Sequence, residues 1–313
     1  MIDNKKITND DISKSGAKNI CKKNIATKSG VTKNSSKSYG VKRHYIGIKI
    51  WLAVSVFLVI LSLLYIFGFI GFNGFKEMSY EFITQKPKGS PLGSEGGIYP
   101  AIIGSICFML IAIVLASLSS FAVAIDLSFY TKSASKKRVV SMIVSTMAGI
   151  PSIVLGLFGY SFLVVALKFG VSVFTGGIVL GIMIFPYMTV KFEKCFSEID
   201  GDILEASYAL GTNKFYTIIH LVLPICYREM ISTMSLAGCF AMGATAPILF
   251  TGGVLYASRI KDIFSPAMAL PLHLYMLIGE GISLEKAYGT SFVLVLVLIS
   301  FNAIALLFSW KKE

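Results

Sequence analysis

Apolar residues along this chain come in six long blocks, at 48–72, 98–127, 139–167, 176–190, 230–250 and 287–310, separated by polar stretches. Blocks of about 20 residues match the thickness of a bilayer's hydrocarbon core. Helices satisfy their own backbone hydrogen bonds in lipid, where water cannot. The pattern therefore predicts an all-α, polytopic membrane protein with six transmembrane helices. The third block is interrupted by Gly149-Ile150-Pro151-Ser152. Pro151 has no N–H to donate and breaks its helix near mid-membrane. Such a break leaves backbone N–H groups free at a half-helix N-terminus, which favours anions, with Ser152, Ser161 and Thr245 as further hydroxyl donors. A bend made only for packing is the other reading, since membrane helices often tolerate proline.

Between the fourth and fifth blocks, residues 202–224 read DILEASYALGTNKFYTIIHLVLP. Ile203 to Leu210 is a run of helix formers, and Gly211 punctuates it, as glycine does just past a helix end. Thr212 is placed to cap a second helix over 213–222, which Pro224 closes. Leu204, Tyr208, Phe215, Ile218, Ile219 and Leu221 give this pair of short helices an apolar surface. The expectation is a knob outside the membrane that something else covers; an amphipathic helix lying on the lipid surface is the plainer alternative.

Residues 1–47, rich in Lys, Ser, Asn and Thr, cannot bury enough surface to fold. They read as a disordered, basic, cytoplasmic tail, solvated or laid on anionic lipid. Residues 48–312 form the membrane domain, with the loop at 191–228.

Composition sharpens this picture. The chain of 313 residues is 55% hydrophobic and 15% charged, where a soluble domain carries about a quarter charged residues. The net charge of +12 points to topology and not to nucleic acid. Most Lys and Arg fall in the tail, the 132–138 turn, the 191–228 segment and the C-terminus. By the positive-inside rule those segments are cytoplasmic. Apart from Lys49 and Asp126, each one residue inside an end of its block, none of the six blocks holds an Asp, Glu, Lys, Arg or His, which argues against a proton-driven carrier or a voltage sensor. No GxSxG, HExxH or paired aspartates occur in them, so intramembrane hydrolysis is not expected. Cys21, Cys107, Cys195, Cys226 and Cys239 lack ligand spacing. His44, His220 and His273 are scattered. No metal and no cofactor are expected.

Glu205-Ala206-Ser207, then Gly211, nine residues, and Leu221-x-Leu223-Pro224 resembles the EAA loop of ABC importer permeases, with Ser207 and Leu221 as mild departures. That resemblance implies the type I importer permease architecture. It also implies that the coupling helix carrying Glu205, Ala206, Ser207, Gly211, Leu223 and Pro224 docks into a cytoplasmic ATPase and transmits its closure.

Further segments are similar to the PstA-type permease of the phosphate importer, a binding-protein-dependent transport system inner-membrane component. These are GGIYPA at 96–101, AGIPSIV at 148–154 followed by GLFG, GATAPILFT at 243–251, and Pro266, Met268, Leu270-Pro271 and Tyr275. The resemblance implies a multi-pass subunit of the cell membrane with both termini cytoplasmic. Its partners would be a second, PstC-like permease, two cytoplasmic ATPase subunits, an extracytoplasmic phosphate-binding protein and the bilayer. Pro151, Ser152, Thr245 and Pro247 are the implied substrate-path residues. No P-loop occurs in this chain, so ATP hydrolysis is expected in the partner and not here. The family's RAxGETAP segment reads FAMGATAP here, with Phe240 and Ala244 in place of Arg and Glu. Either the second permease supplies the cation or the substrate is another oxyanion, molybdate or tungstate. A non-transporting membrane scaffold is the third reading.

Overall fold

The computed structural model describes residues 38–91, 93–254, 256 and 262–310. Residues 1–37 of the expected tail and the C-terminal 311–313 lie outside them. The first helix, α1 (Ser38–Lys76), begins ten residues before the first apolar block. The chain divides at Tyr65 into two units. In the first, the helix turns bulky side chains such as Trp51, Phe57 and Leu64 outward, as a lipid-facing helix does.

In the second unit, after the end of α1, come α2 (Tyr80–Thr84) and a two-stranded hairpin, β1 (Pro87–Lys88) with β2 (Glu95–Gly96), paired antiparallel with Pro87 opposite Gly96. Then follow α3 (Tyr99–Ile125), extended by a π turn to Tyr130, α4 (Ala134–Ala148), α5 (Ser152–Gly159), extended by a π turn to Ala166, and α6 (Val173–Ser197). The knob is α7 (Gly201–Ala209) and α8 (Lys214–Thr217). The last elements are α9 (Leu223–Gly243), α10 (Ala246–Thr251), α11 (Leu270–Gly279) and α12 (Leu284–Trp310).

The core lies where α3, α6 and α9 meet. Phe108, Ala112 and Ala116 of α3 pack with Leu180, Ile184 and Met188 of α6 and with Ala237 and Ala241 of α9. Small residues set the spacing, as is general between membrane helices. A Cβ on Gly181 would stand 3.3 Å from the Ala112 carbonyl. The few buried polar groups here are bonded: the Ser120 hydroxyl (3.0 Å) and the Thr189 hydroxyl (2.8 Å) both donate to the Phe185 carbonyl beside Pro186. A smaller cluster of Phe82, Ile98, Ala101, Met268, Leu270 and Val293 ties α2, the start of α3, the approach to α11 and α12 together. Lys286 and Glu77 bridge at 3.1 Å beside it.

Four helices among the described residues are long and apolar enough to cross a membrane: α1 from Ile48, α3 with its π turn, α6 and α12. The α4–α5 pair, bent by 95°, makes a fifth if it is taken as one span. The fifth expected block maps onto α9 and α10. There the helix carries Arg228 and Glu229 near its start and stops at Gly243, so it is less apolar than the bare block suggests. The fourth block also differs. Its helix does not end near Val190 but runs to Ser197, because Phe192 and Phe196 bury against the core and carry it onward. That extension places Lys191, Glu193 and Lys194 within a spanning helix.

Candidate functional site

The knob forms as expected in outline and differs in its caps. Asp200 starts α7, its carboxylate accepting from the Asp202 N–H. The helix ends at Gly211, whose φ of +81° is open to glycine and costly for most other residues. A Cβ there would touch nothing within 4 Å, so conformation alone requires the glycine. The second helix is capped by Asn213, whose side chain accepts from the Tyr216 N–H at 2.8 Å, and not by Thr212. The Thr212 hydroxyl instead donates to the Ser207 carbonyl at 2.7 Å and lies 2.8 Å from the Ser207 hydroxyl and 3.0 Å from that of Thr217. These three hydroxyls hold the two helices at a fixed angle. Ser207, a departure from the EAA pattern, thereby gains a structural role.

Pro224 does not close the second helix. The chain passes from α8 through a π turn (Ile218–Val222) directly into α9, with the Leu223 N–H bonded back to the Ile218 carbonyl. A π turn is wider than an α turn, and the widening relieves the proline ring of its clash with the carbonyl four residues earlier. The knob is therefore rigidly continuous with a helix of the core.

Glu205 and Ala206 are exposed on α7, Ser207 and Leu223 are half-buried, and Gly211 and Pro224 are exposed. Around them Leu210 is 85% exposed and Phe215 67%. Together with Ile203 and Tyr216 they form an apolar surface outside the core. Asp202, Ser207, Tyr216 and His220 border a concavity of about 660 Å³ between the two helices. His220 stacks on Tyr216 at 4.0 Å between ring centroids. Lys214 fixes α8 to the end of α3, a contact that sequence spacing could not reveal.

The break at Pro151 is present. α4 ends at Ala148, Pro151 occupies the cap position without a side-chain acceptor, and α5 starts at Ser152. Pro151 and Ser152 are exposed. A second break at Ala244–Thr245 separates α9 from α10, with Thr245 half-buried at the start of α10. Pro247 is buried. A Cβ on Gly156 would stand 2.8 Å from the Ala246 carbonyl and 3.1 Å from the Pro247 Cα. Gly156, just past AGIPSIV, thus lies directly against the backbone of TAPILFT.

Between α4, α6 and α9 opens a cavity of about 650 Å³. Its wall includes Ser145 of α4, Pro186, Tyr187 and Lys191 of α6, and Leu236 and Phe240 of α9. Phe240 is 63% exposed. Among the described residues no carboxylate lines this cavity, and Lys191 is its single cation. The sequence reading missed Lys191 because it placed the end of the helix one residue earlier.

Comparison with known proteins agrees with this architecture. Residues 123–309 match the family described as binding-protein-dependent transport system inner membrane component. The chain is 31% identical over 213 residues to phosphate transport system permease protein PstA 1 of Mycobacterium tuberculosis, covering 67% of this chain and 69% of that one. It is 29% identical over 254 residues to phosphate transport system permease protein PstA of Mycobacterium leprae, covering 79% and 83%. Among solved structures, a bacterial alginate ABC transporter in complex with its alginate pentasaccharide-bound periplasmic protein has a chain of the same fold. The TM-score is 0.61 at 10% identity, over 87% of this chain and 96% of that one.

Proposed function

The chain belongs to the binding-protein-dependent transport system inner-membrane component family, and on that premise we propose that it is the PstA-type permease of an ATP-driven importer that brings inorganic phosphate into the cytoplasm. The likeness to phosphate permeases over most of the chain carries the substrate. The apolar knob, continuous through its π turn with α9, supports the coupling role.

In this reading the chain is a membrane component and not the catalytic subunit. Two cytoplasmic ATPases hydrolyse ATP, a PstC-like permease completes the channel, and an extracytoplasmic binding protein delivers the anion. Both termini and the knob face the cytoplasm, as the distribution of Lys and Arg requires. When the ATPases close, they grip α7 through Glu205, Ala206 and the exposed apolar side chains. Gly211 sets the angle between α7 and α8, and Leu223 and Pro224 pass the displacement into α9 because α8 runs into it through a π turn with no loop between. The spans then move from an inward-open to an outward-open arrangement, and ATPase opening reverses it. Pro151 and Ser152, at the start of a broken helix, and Thr245 and Pro247, at the facing break, border the path of the anion. Free N–H groups at the start of α5 suit an anion.

The test is reconstitution of the chain with its partner subunits in proteoliposomes, followed by ATP-driven uptake of labelled phosphate. Uptake competed by phosphate and not by molybdate or tungstate is the expected result. Competition in the opposite order assigns the chain to another oxyanion, the alternative that Phe240 and Ala244 motivate. ATP hydrolysis that no solute stimulates would leave the scaffold reading.

A further inference from the structure

Lys191 stands out among the cations of the described residues. It lies on α6 six residues before Ser197, about 9 Å along the helix axis from the end of a membrane-spanning segment. It is half-buried. A charge in such a place is costly unless something compensates it, and ionisable groups inside spanning helices mark ligand or ion paths. The ion pairs among the described residues are Lys194–Glu198 at 3.5 Å and Lys286–Glu77 at 3.1 Å. Lys191 belongs to neither. Its neighbour Lys194 is well exposed together with its partner Glu198 and is not among the residues that line the cavity.

Position along the helix explains where Lys191 points. Tyr187 and Lys191 are four residues apart, so they share one face of α6. That face lines the cavity between α4, α6 and α9. Ser145 adds a hydroxyl from the facing α4, and the rest of the wall is mostly apolar. An ammonium with two hydroxyls and no carboxylate, in a largely apolar wall, is complementary to an anion with several oxygens. A cavity of about 650 Å³ has room for roughly twenty waters, so the anion could keep part of its hydration while crossing.

We propose that Lys191 is the cation that receives the oxyanion in this subunit, with the Tyr187 and Ser145 hydroxyls as further donors in the same cavity. This rests on the importer reading and names the residue that handles its substrate class. It also removes the need for a cation at position 240, since Phe240 lines the same cavity.

The experiment uses the whole importer in proteoliposomes with saturating, phosphate-loaded binding protein. Lys191→Met is expected to lower phosphate uptake about tenfold or more, the scale of one lost charge-assisted contact. Stimulation of ATP hydrolysis by the binding protein should persist. Lys191→Arg should retain most of the uptake, and Lys194→Met should leave it unchanged. Phe240→Arg, which returns a cation to the same cavity, should restore uptake to the Lys191→Met protein; a purely structural lysine would not be rescued this way. Uptake by Lys191→Met within about twofold of the wild type overturns the proposal, the loss being then smaller than a charged contact supplies. So does a defect that disappears in vesicles without anionic lipid, which would assign Lys191 to a lipid headgroup. If the wild type carries molybdate and not phosphate while Lys191→Met carries neither, the phosphate reading falls and the cavity reading stands. Wild-type phosphate uptake with an unaffected Lys191→Met gives the reverse.

Discussion

The Nζ of Lys214 donates to the Phe129 carbonyl at 2.9 Å. Lys214 is the first residue of α8, in the knob, and Phe129 lies in the π turn that ends α3. The same ammonium stands 5.4 Å from the centre of the Tyr130 ring. The knob is therefore joined to the core covalently through α6 and α9 and non-covalently through this contact with α3. A displacement of α7 and α8 pulls on α3 as well as on the helices that flank the knob in the chain.

Breaking the contact with α3 should uncouple the importer without unfolding it. A hydrogen bond from a charged group contributes about 1.5–3 kcal/mol. Lys214→Met is expected to lower uptake per ATP hydrolysed about tenfold, in line with that energy, while Lys214→Arg preserves the ratio. The measurement is labelled uptake and phosphate release in the same proteoliposomes. An unchanged ratio in Lys214→Met would show that the covalent connections through α6 and α9 suffice to carry the motion.

Gly211 offers a test of conformation without a steric complication. Its φ of +81° costs a residue with a Cβ about 1–2 kcal/mol, and no neighbouring atom would meet that Cβ. Gly211→Val should misalign α7 with α8 and reduce ATP-driven uptake strongly. Gly211→Asn, which tolerates the left-handed region, should keep most of it. Equal activity in the two variants would remove the hinge from the coupling argument.

What could be read from the sequence was whatever depends on local chemistry. The apolar blocks announced the spans, because bilayer thickness sets their length. Gly211 and Pro151 announced a hinge and a break, because backbone freedom is a property of the residue itself. What could not be read depends on partners distant in the chain. The last turns of α6 look polar at Lys191, Glu193 and Lys194, yet Phe192 and Phe196 on one face are buried in the core, Phe196 against Phe121 of α3 and Phe129 of its π turn. Pro224 looks like a helix stop, yet a π turn accommodates it. The site followed the same rule. The EAA-like knob was legible because its spacing lies within one segment. The cavity with Lys191, Ser145 and Phe240 was not, because three separate helices build it.

The contact of α5 with α10 is also invisible in the sequence, and it makes a prediction about stability. Gly156 has the Ala246 carbonyl and the Pro247 Cα at 2.8 and 3.1 Å from where a Cβ would stand. Both are backbone atoms that cannot turn aside. Gly156→Val should force the two short helices apart at a cost of about 1–3 kcal/mol, the usual scale of overpacking. Thermal unfolding in detergent checks this, with Gly243→Ala as the control, since nothing stands within 4 Å of that position. If Gly156→Val unfolds at the wild-type temperature, the two segments are not locked as described.

The placement of α11 depends on a buried polar contact with α3. The Leu270 N–H, at the first residue of that helix, donates to the Ser105 hydroxyl of α3 at 2.7 Å, and both residues are buried. One residue before Ser105, a Cβ on Gly104 would collide with the Met268 carbonyl, so the chain before α11 lies directly on α3. Ser105→Ala would keep this packing and remove only the acceptor. A buried donor left unsatisfied costs about 1–3 kcal/mol, and water is poorly placed to compensate in so tight a contact. The expected result is a lowered unfolding temperature, together with faster hydrogen exchange at the start of α11. Ser105→Thr, which retains the hydroxyl, should show slower exchange there than Ser105→Ala, though its added methyl costs some packing. Exchange that stays slow in Ser105→Ala would mean that close packing on Gly104 alone holds α11 against α3.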